Sequence, residues 1–362
     1  MRKTLKDMAK HLKNVITPEI PETYAIDPMF ENISNEEDIR EGVLAFRNFL
    51  YHLCDVLIVE GDSYDNYKKN AHVFDDRVTI SVYFPFLHNV KCLLLNIGFH
   101  GVLTERAQSL TVGNNIFNTK IPVSKCIECL RFLTDCGILI DGINLNDKKP
   151  DLLKADRIKI SYPDNPAMLT GLKVMAIAEI EFGRNANKSK VNKSNTISYC
   201  RFSDILLRCD YRVLKNNKID DVISILKDTM KHLSPNVQDF ILQLHQRYFD
   251  KGLKCNVEIK DLWIKIKYSY KSKEIFGFNV SLNNGYQINI KAKNTHKYAD
   301  TIEKFPSFIQ GMIEKGYGCG IKRGISDHCN GGCQGFRFSL DDSIIDIRNA
   351  IETWIDTELS FV

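Results

Sequence analysis

The sequence predicts an α+β protein, with a mixed N-terminal region followed by a C-terminal antiparallel-sheet domain in the order βββαβα. Three observations carry that expectation. From Leu262 to Ala292 the even positions are almost all apolar and the odd ones mostly polar, the period of half-buried antiparallel strands. Two segments with helical spacing, Pro306 to Lys315 and the run after Asp342, flank one more strand-like stretch, Phe336 to Leu340. The N-terminal half instead repeats its apolar residues at three- and four-residue steps. At 362 residues, with 44% hydrophobic and 26% charged side chains, the chain has enough apolar material for two or three domains. The expected division is 1–182, a basic loop or linker at 183–196, a helical connecting region at 197–256, and the C-terminal domain at 257–362.

Leu5, Met8, Leu12 and Val15 share one face of a basic amphipathic helix at the N-terminus, which either touches a membrane surface or docks onto its own protein. Asn35 caps a helix through Ile39, Val43, Phe46, Leu50, Leu53 and Leu57. Arg77 to Phe84 alternates as a strand that Pro85 stops. Val90 to Phe99 fits either a buried strand or a core helix, because periodicity does not separate the two. Gly113-Asn114-Asn115 marks a turn. Ser124 starts a helix through Ile127, Leu130 and Leu133 that ends at Gly137, and strands follow at 138–145 and 157–162. Asn165-Pro166 opens a helix running to Ile180. Residues 183–196 carry Arg184, Lys188, Lys190 and Lys193 without a single acid, and read as a mobile linker. Asp220 to Leu233 and Pro235 to Phe249 form two further helices.

In the C-terminal domain, parity of the alternation constrains the turn after Leu282. Cross-strand partners share a face, so Leu282 is expected opposite Tyr286, with Asn283-Asn284-Gly285 as a three-residue loop ending on a left-handed glycine.

The formal net charge of +4 neither demands nor excludes an anionic partner. Eleven cysteines, an odd number spread along the chain behind no signal-like segment, point to reduced thiols and a cytoplasmic location. The apolar runs at 49–59 and 90–99 fall short of the ~20 residues that span a bilayer, so no integral membrane association is expected.

Chemistry is concentrated in Gly316 to Gly335, GYGCGIKRGISDHCNGGCQG, which holds seven of the twenty glycines. Cys319, Cys329, Cys333 and His328 are the candidate zinc ligands of a Cys₃His site. The C-x9-C-x3-C spacing lacks a close knuckle, which leaves a buried structural thiol cluster as the competing account. Lys322 and Arg323 suit an anion nest or a reactive cysteine in the same loop. Cys126 and Cys129 form a CxxC, read as small core residues in preference to a redox pair. On the polar face of the C-terminal sheet lie Trp263, Lys265, Lys267, Asn279, Gln287, Asn289, Lys291 and Lys293. They suit single-stranded nucleic acid, or solubility and edge protection.

The segment VSKCIECLRFLTDCGILIDGI (123–143), with Arg157 to Ser161 as the returning strand, resembles the recognition helix and wing of winged-helix DNA-binding proteins. The resemblance covers 122–161 and implies DNA or anion contacts at Lys125 and Arg131; a helix–hairpin unit of the core is the alternative. YPDNPAMLTGLKVMAIAE (162–179) and GYGCGIKRGISDHCNGGCQGF (316–336) resemble segments of an uncharacterised protein family of Gram-positive anaerobic bacteria, which implies no particular activity. No GxxxxGK[ST], HExxH or GxSxG is present. The sequence therefore points to a non-enzymatic binding or regulatory protein, with DNA or an anionic ligand as partner and zinc or another ligand at the C-terminal loop. A thiol- or metal-dependent enzyme using the three loop cysteines is the alternative.

Overall fold

A computed structural model describes residues 3–64, 83–104, 108–117, 121–146, 152, 154–188, 205–215, 222–260, 263–315 and 335–362. The protein is α+β, and its chain divides into two compact units: 1–192 with 202–219, and 220–362 with 193–201. This division runs through the connecting region expected at 197–256.

Unit 1 is built around buried helices. Helix α1 (Leu5–Val15) opens with a reciprocal capping box, Thr4 Oγ1 accepting from Asp7 N at 3.2 Å while Asp7 Oδ2 accepts from Thr4 N at 2.8 Å. Its apolar face, Leu5, Met8, Ala9, Leu12 and Val15, is buried and packs on α2 (Glu36–Tyr64), which accounts for the amphipathic N-terminus by docking within the chain. Asn35 Oδ1 accepts from Asp38 N at 2.9 Å and starts α2. This helix is long and apolar enough to cross a membrane, but its apolar side chains pack on α1 and on α5 (Ala167–Lys188). Helix α3 (Pro85–His100) resolves the ambiguity at 90–99 in favour of helix, with Val90, Leu93, Leu94 and Ile97 buried. The strand expected over 77–84 lies mostly outside the described residues. Tyr83 is helical, and Pro85 begins α3, since a missing N–H costs nothing in the first turn.

Strands β1 (Val102–Leu103) and β2 (Leu110–Val112) form a hairpin, followed by a 3₁₀ turn at Asn114–Phe117 in place of a simple bend. Helix α4 (Val123–Asp135), β3 (Leu139–Asp141) and β4 (Ile158–Ser161) come next. The sheet order is β1-β2-β4-β3, antiparallel throughout. Helix α5 runs beyond Ile180 to Lys188, so the linker expected to begin at 183 does not begin there. Once a helix is nucleated, each further residue costs little. The remainder of that linker, 189–196, lies outside the described residues. Helix α6 (Ile205–Arg208) and a 3₁₀ turn at Tyr211–Leu214 complete unit 1.

Unit 2 contains α7 (Val222–Met230), α8 (Pro235–Asp250) and a five-stranded antiparallel meander in the order β5-β6-β7-β8-β9. The strands are β5 (Lys254–Lys260), β6 (Trp263–Tyr270), β7 (Lys273–Ser281), β8 (Gly285–Ile290) and β9 (Phe336–Ser339). Strand β5 is one more than the expected order contains, and it straddles the boundary expected between the connecting region, which ends at 256, and the C-terminal domain, which begins at 257. Lys254-Cys-Asn-Val-Glu-Ile-Lys260 alternates as its neighbours do, but its apolar positions are odd. Between β8 and β9 lie α9 (Ala299–Ile302) and α10 (Ser307–Lys315), and α11 (Arg348–Ser360) closes the chain.

The apolar face of the meander is as the alternation requires, with Ile264, Ile266, Tyr268, Phe276, Phe278, Val280, Ile288 and Ile290 buried. Tyr248 of α8 meets Phe276, and Trp354 of α11 meets Phe336 and Phe338. The turn differs from expectation by two residues. Val280 faces Tyr286 and Ser281 faces Gly285, so the loop is Leu282-Asn283-Asn284, closed by Asn284 N donating to Ser281 Oγ at 3.1 Å. Gly285 is left-handed as anticipated, at φ 63°. At the other end of β7, Lys271 and Ser272 both take positive φ, 44° and 65°, in a two-residue hairpin turn.

Candidate functional site

The sequence-derived site residues fall into two groups. Cys319, His328, Cys329, Cys333, Lys322 and Arg323 lie outside the described residues. Lys125 and Arg131 lie on α4, and the structure shows what each does there.

Helix α4 begins after Pro122, one residue ahead of the Ser124 start. Val123, Cys126, Cys129, Leu130, Phe132 and Leu133 turn inward, leaving Ser124, Lys125, Glu128, Arg131 and Asp135 towards solvent. Lys125 pairs with Glu128 one turn on. Arg131 is exposed and bonds forward to the hairpin loop, donating from Nη2 to Leu145 O at 2.9 Å and to Asn146 Oδ1 at 3.0 Å. It therefore fastens the root of the β3–β4 loop to the helix. Asp135 Oδ2 accepts from Tyr64 OH at 3.1 Å. The outward face of α4 thus balances two cations against two carboxylates.

The hairpin carries cations that the sequence reading did not single out. Arg157, just before β4, and Lys159 within it are both exposed. Lys159 lies between Thr111 of β2 and Asp141 of β3 on the solvent face, whereas Ile158 and Ile160 are buried on the other. The alternation Arg-Ile-Lys-Ile already placed these cations outward. What it withheld was that β4 is the central partner of β2 and β3.

The CxxC sits in the core. Cys126 and Cys129 are fully buried, and burial, reinforced by neighbouring Cys126 and Glu128, pushes the Cys129 thiol far above its ordinary range. Cys54 and Cys136 are both pushed up to about 12, first by burial and then by nearby carboxylates. A thiol so held is a small hydrophobe and a poor nucleophile. Among the described residues, no three His, Cys, Asp or Glu side chains are grouped as a metal site.

Two buried polar clusters were not foreseen. In unit 1, Arg208, Asp210 and Arg212 are each about 2% exposed or less. Asp210 accepts from Arg212 Nε at 2.8 Å and Nη2 at 3.1 Å, while Arg208 Nη1 is 3.8 Å from its Oδ2. Arg208 Nε donates to Val15 O at 3.2 Å. In unit 2, buried Glu358 accepts from Asn294 N and Nδ2, both at 2.9 Å, and from Tyr298 OH. Trp354 Nε1 donates to the same tyrosine oxygen at 2.9 Å. Every bond of this cluster ties α11 to the loop after β8, a structural role.

No protein-family model matches the chain, and neither a curated protein nor a solved structure is similar enough to count as a match.

Proposed function

We propose that the protein is a non-enzymatic regulatory protein that binds duplex DNA through the α4–β3–β4 part of unit 1. One observation carries the reading. Strand β3 follows directly after α4, and β4 returns from it to lie between β3 and β2. The chain order is helix α3, the β1–β2 hairpin, the 3₁₀ turn, helix α4 and the β3–β4 hairpin, which resembles a winged-helix arrangement. Charge distribution shifts the contacts from those the sequence suggested. Lys125 and Arg131 spend their donors on Glu128 and on the loop at 145–146, whereas Arg157 and Lys159 stand outward on the hairpin. Phosphate contacts by the hairpin position a module on DNA without reading sequence.

The test is fluorescence anisotropy with a mixed-sequence duplex across a salt series. Affinity falls steeply with salt, and Arg157→Ala and Lys159→Ala each weaken binding and lower the salt slope by about 1. Arg131→Ala acts through the loop it holds. No binding at low salt would overturn the reading. Zinc held by Cys319, His328, Cys329 and Cys333 belongs to the same proposal as the ligand of unit 2. Elemental analysis of untagged protein finding no metal would remove it.

A further inference from the structure

The two sheets end on four edge strands, and one of them is unlike the rest. Strands β1, β3 and β9 have two, three and four residues, whereas β5 has seven. A short edge is one way a protein keeps another chain from adding a strand; prolines, bulges and charges turned towards the core are others. Strand β5 has none of these. Lys254 to Lys260 contains no proline, its ladder with β6 has no register shift, and the residues facing the core are Cys255, Val257 and Ile259.

The phase of the ladder shows which backbone groups this edge offers. Leu340 N donates to Tyr286 O at 2.9 Å and Lys291 N to Ile275 O at 2.7 Å. Even residues of β8 therefore bond to β9, and odd residues bond to β7. Facing pairs alternate between bonded and open, so the same parity carries back through the registers of β7 and β6. On β5 the even residues bond to β6, and Cys255, Val257 and Ile259 turn their N–H and C=O groups outward. Among the described residues nothing bonds to those outward groups.

An apolar strip accompanies the edge. Gln243 and Arg247 of α8, with Lys251 just past its end, bond to Arg348, Glu352 and Asp356 of α11. Leu242 and Phe249 stand about 150° round the helix from those three. Trp354 of α11 lies over Phe336 and Phe338 of β9, so the flank of α8 turned away from α11 is on the β5 side. Leu242 is half-buried there, and Phe249, stacked on His245, is 51% exposed.

The sequence of β5 is complementary to itself. Cross-strand partners share a face, so an antiparallel second copy sets even residues against even and odd against odd. A two-fold axis through Asn256 places Lys254 opposite Glu258 of the second copy, and Glu258 opposite its Lys254. Cys255 and Val257 then exchange backbone bonds across the seam. Lys254 and Glu258 meet in the open pairs, where side chains approach most closely and opposite charges are favourable. Lys254 is exposed, and Glu258 has Lys267 2.8 Å away on its inner side. Moving the axis to Val257 would set Lys254 against Lys260, and moving it to Cys255 would leave Glu258 facing Gly252. Charge therefore selects one register.

We propose that the chain forms a two-fold homodimer by pairing β5 with β5 of a second copy about Asn256. The two five-stranded meanders become one continuous sheet, with Leu242 and Phe249 beside the seam on its helical face. A contact of this kind is the same patch on both copies, so it closes on itself.

The test is sedimentation velocity of the full chain without DNA, which keeps it independent of the reading of unit 1. Loading runs from about 1 to about 100 μM, since interfaces of modest quality dissociate in that range. The expected result is a concentration-dependent shift from 41.6 kDa to twice that mass. Lys254→Glu and Glu258→Lys each set like charges opposite at both ends of the seam, and each alone should weaken dimerisation by about tenfold or more. Mixed one to one, the two variants face each other with opposite charges at both positions and should dimerise within severalfold of the parent. Phe249→Ser gives a reading that does not depend on charge, with an expected loss of severalfold. A chain that stays monomeric throughout would overturn the proposal. So would a dimer indifferent to Lys254→Glu, or variants that melt like the parent yet do not recover on mixing. A monomer that takes up an unrelated extended peptide along β5 would overturn it too.

Discussion

The close crossing of α2 and α5 in unit 1 offers a sharp test of its packing. Gly171 of α5 faces Gly42 of α2, and a Cβ added at 171 would lie 2.0 Å from Gly42 O, 2.4 Å from Gly42 C and 2.8 Å from Phe46 Cβ. Carbon–oxygen contact normally begins near ~3.3 Å, so Gly171→Ala forces the helices apart by about 1 Å. A gap of that size forfeits up to about half of the dispersion energy of each contact it opens. Overpacking usually costs ~1–3 kcal/mol, and here the obstructing atoms are backbone, which has no rotamer to retreat into. Taking about 4 kcal/mol for the clash, and about 1 kcal/mol returned by alanine's helix propensity, the net loss is about 3 kcal/mol. At ~2–4 °C per kcal/mol for a unit of this size, the melting temperature falls by about 6–12 °C. Differential scanning calorimetry reads this directly. Gly311→Ala in α10 is the matched control, since nothing lies within 4 Å of its added Cβ; it should gain up to about 1 kcal/mol. A Gly171→Ala protein melting at or above the parent would refute the close approach of α2 and α5.

Three further outcomes follow from buried and half-buried polar groups. His11 is held neutral, its pKa lowered from 6.5 to about 4 by burial and by the Arg208 charge. Unfolding therefore takes up a proton, so this contribution is whole above pH 6.5 and is lost as pH falls towards 4. It amounts to about 2–3 kcal/mol, and urea melts of His11→Gln should be flatter than the parent across that window; parallel curves would contradict it. Asp210→Asn leaves the Arg208 and Arg212 guanidiniums buried without their carboxylate. It should destabilise unit 1 by about 3–5 kcal/mol, and chemical denaturation showing less than about 1 kcal/mol would mean the charges are not buried as described. Glu358→Gln sets an amide where Asn294 and Tyr298 both donate, and should cost about 2–3 kcal/mol in the melt of unit 2. An unchanged melt would show that Glu358 is not the acceptor holding α11.

Much of the C-terminal sheet was legible, and the part that was not has a definite reason. Alternation assigns each residue to a face, and the large buried side chains on β6, β7 and β8 are mainly the even set, joined by Ile275, Ser281 and Asn289. Alternation fixes register only to the nearest two residues, however, because sliding a strand by two keeps every side chain on its face. Leu282 opposite Tyr286 and Val280 opposite Tyr286 are equally consistent with the pattern, and the structure takes the second. Strand β5 escaped for a related reason. Its apolar residues are odd-numbered, so an even-position rule carried from β6 to β8 stops short of it, although the tight connection to β6 restores the common face. In unit 1, α3 shows where periodicity fails outright, since a run apolar on nearly every side has no period to read.

The candidate sites were less legible because what decides them is pairing, and pairing across the fold leaves no trace in composition. Lys125 and Arg131 were visible as the cations of an amphipathic helix. That Glu128 and the carbonyl of Leu145 would engage them was not, and this moves the proposed DNA contact to Arg157 and Lys159. Ile205 to Leu214 misleads in the opposite sense. Its Arg, Asp and Arg sit two apart among apolar residues, which reads as a polar edge facing water, yet all three are buried, Arg208 with its Nε on the Val15 carbonyl of α1.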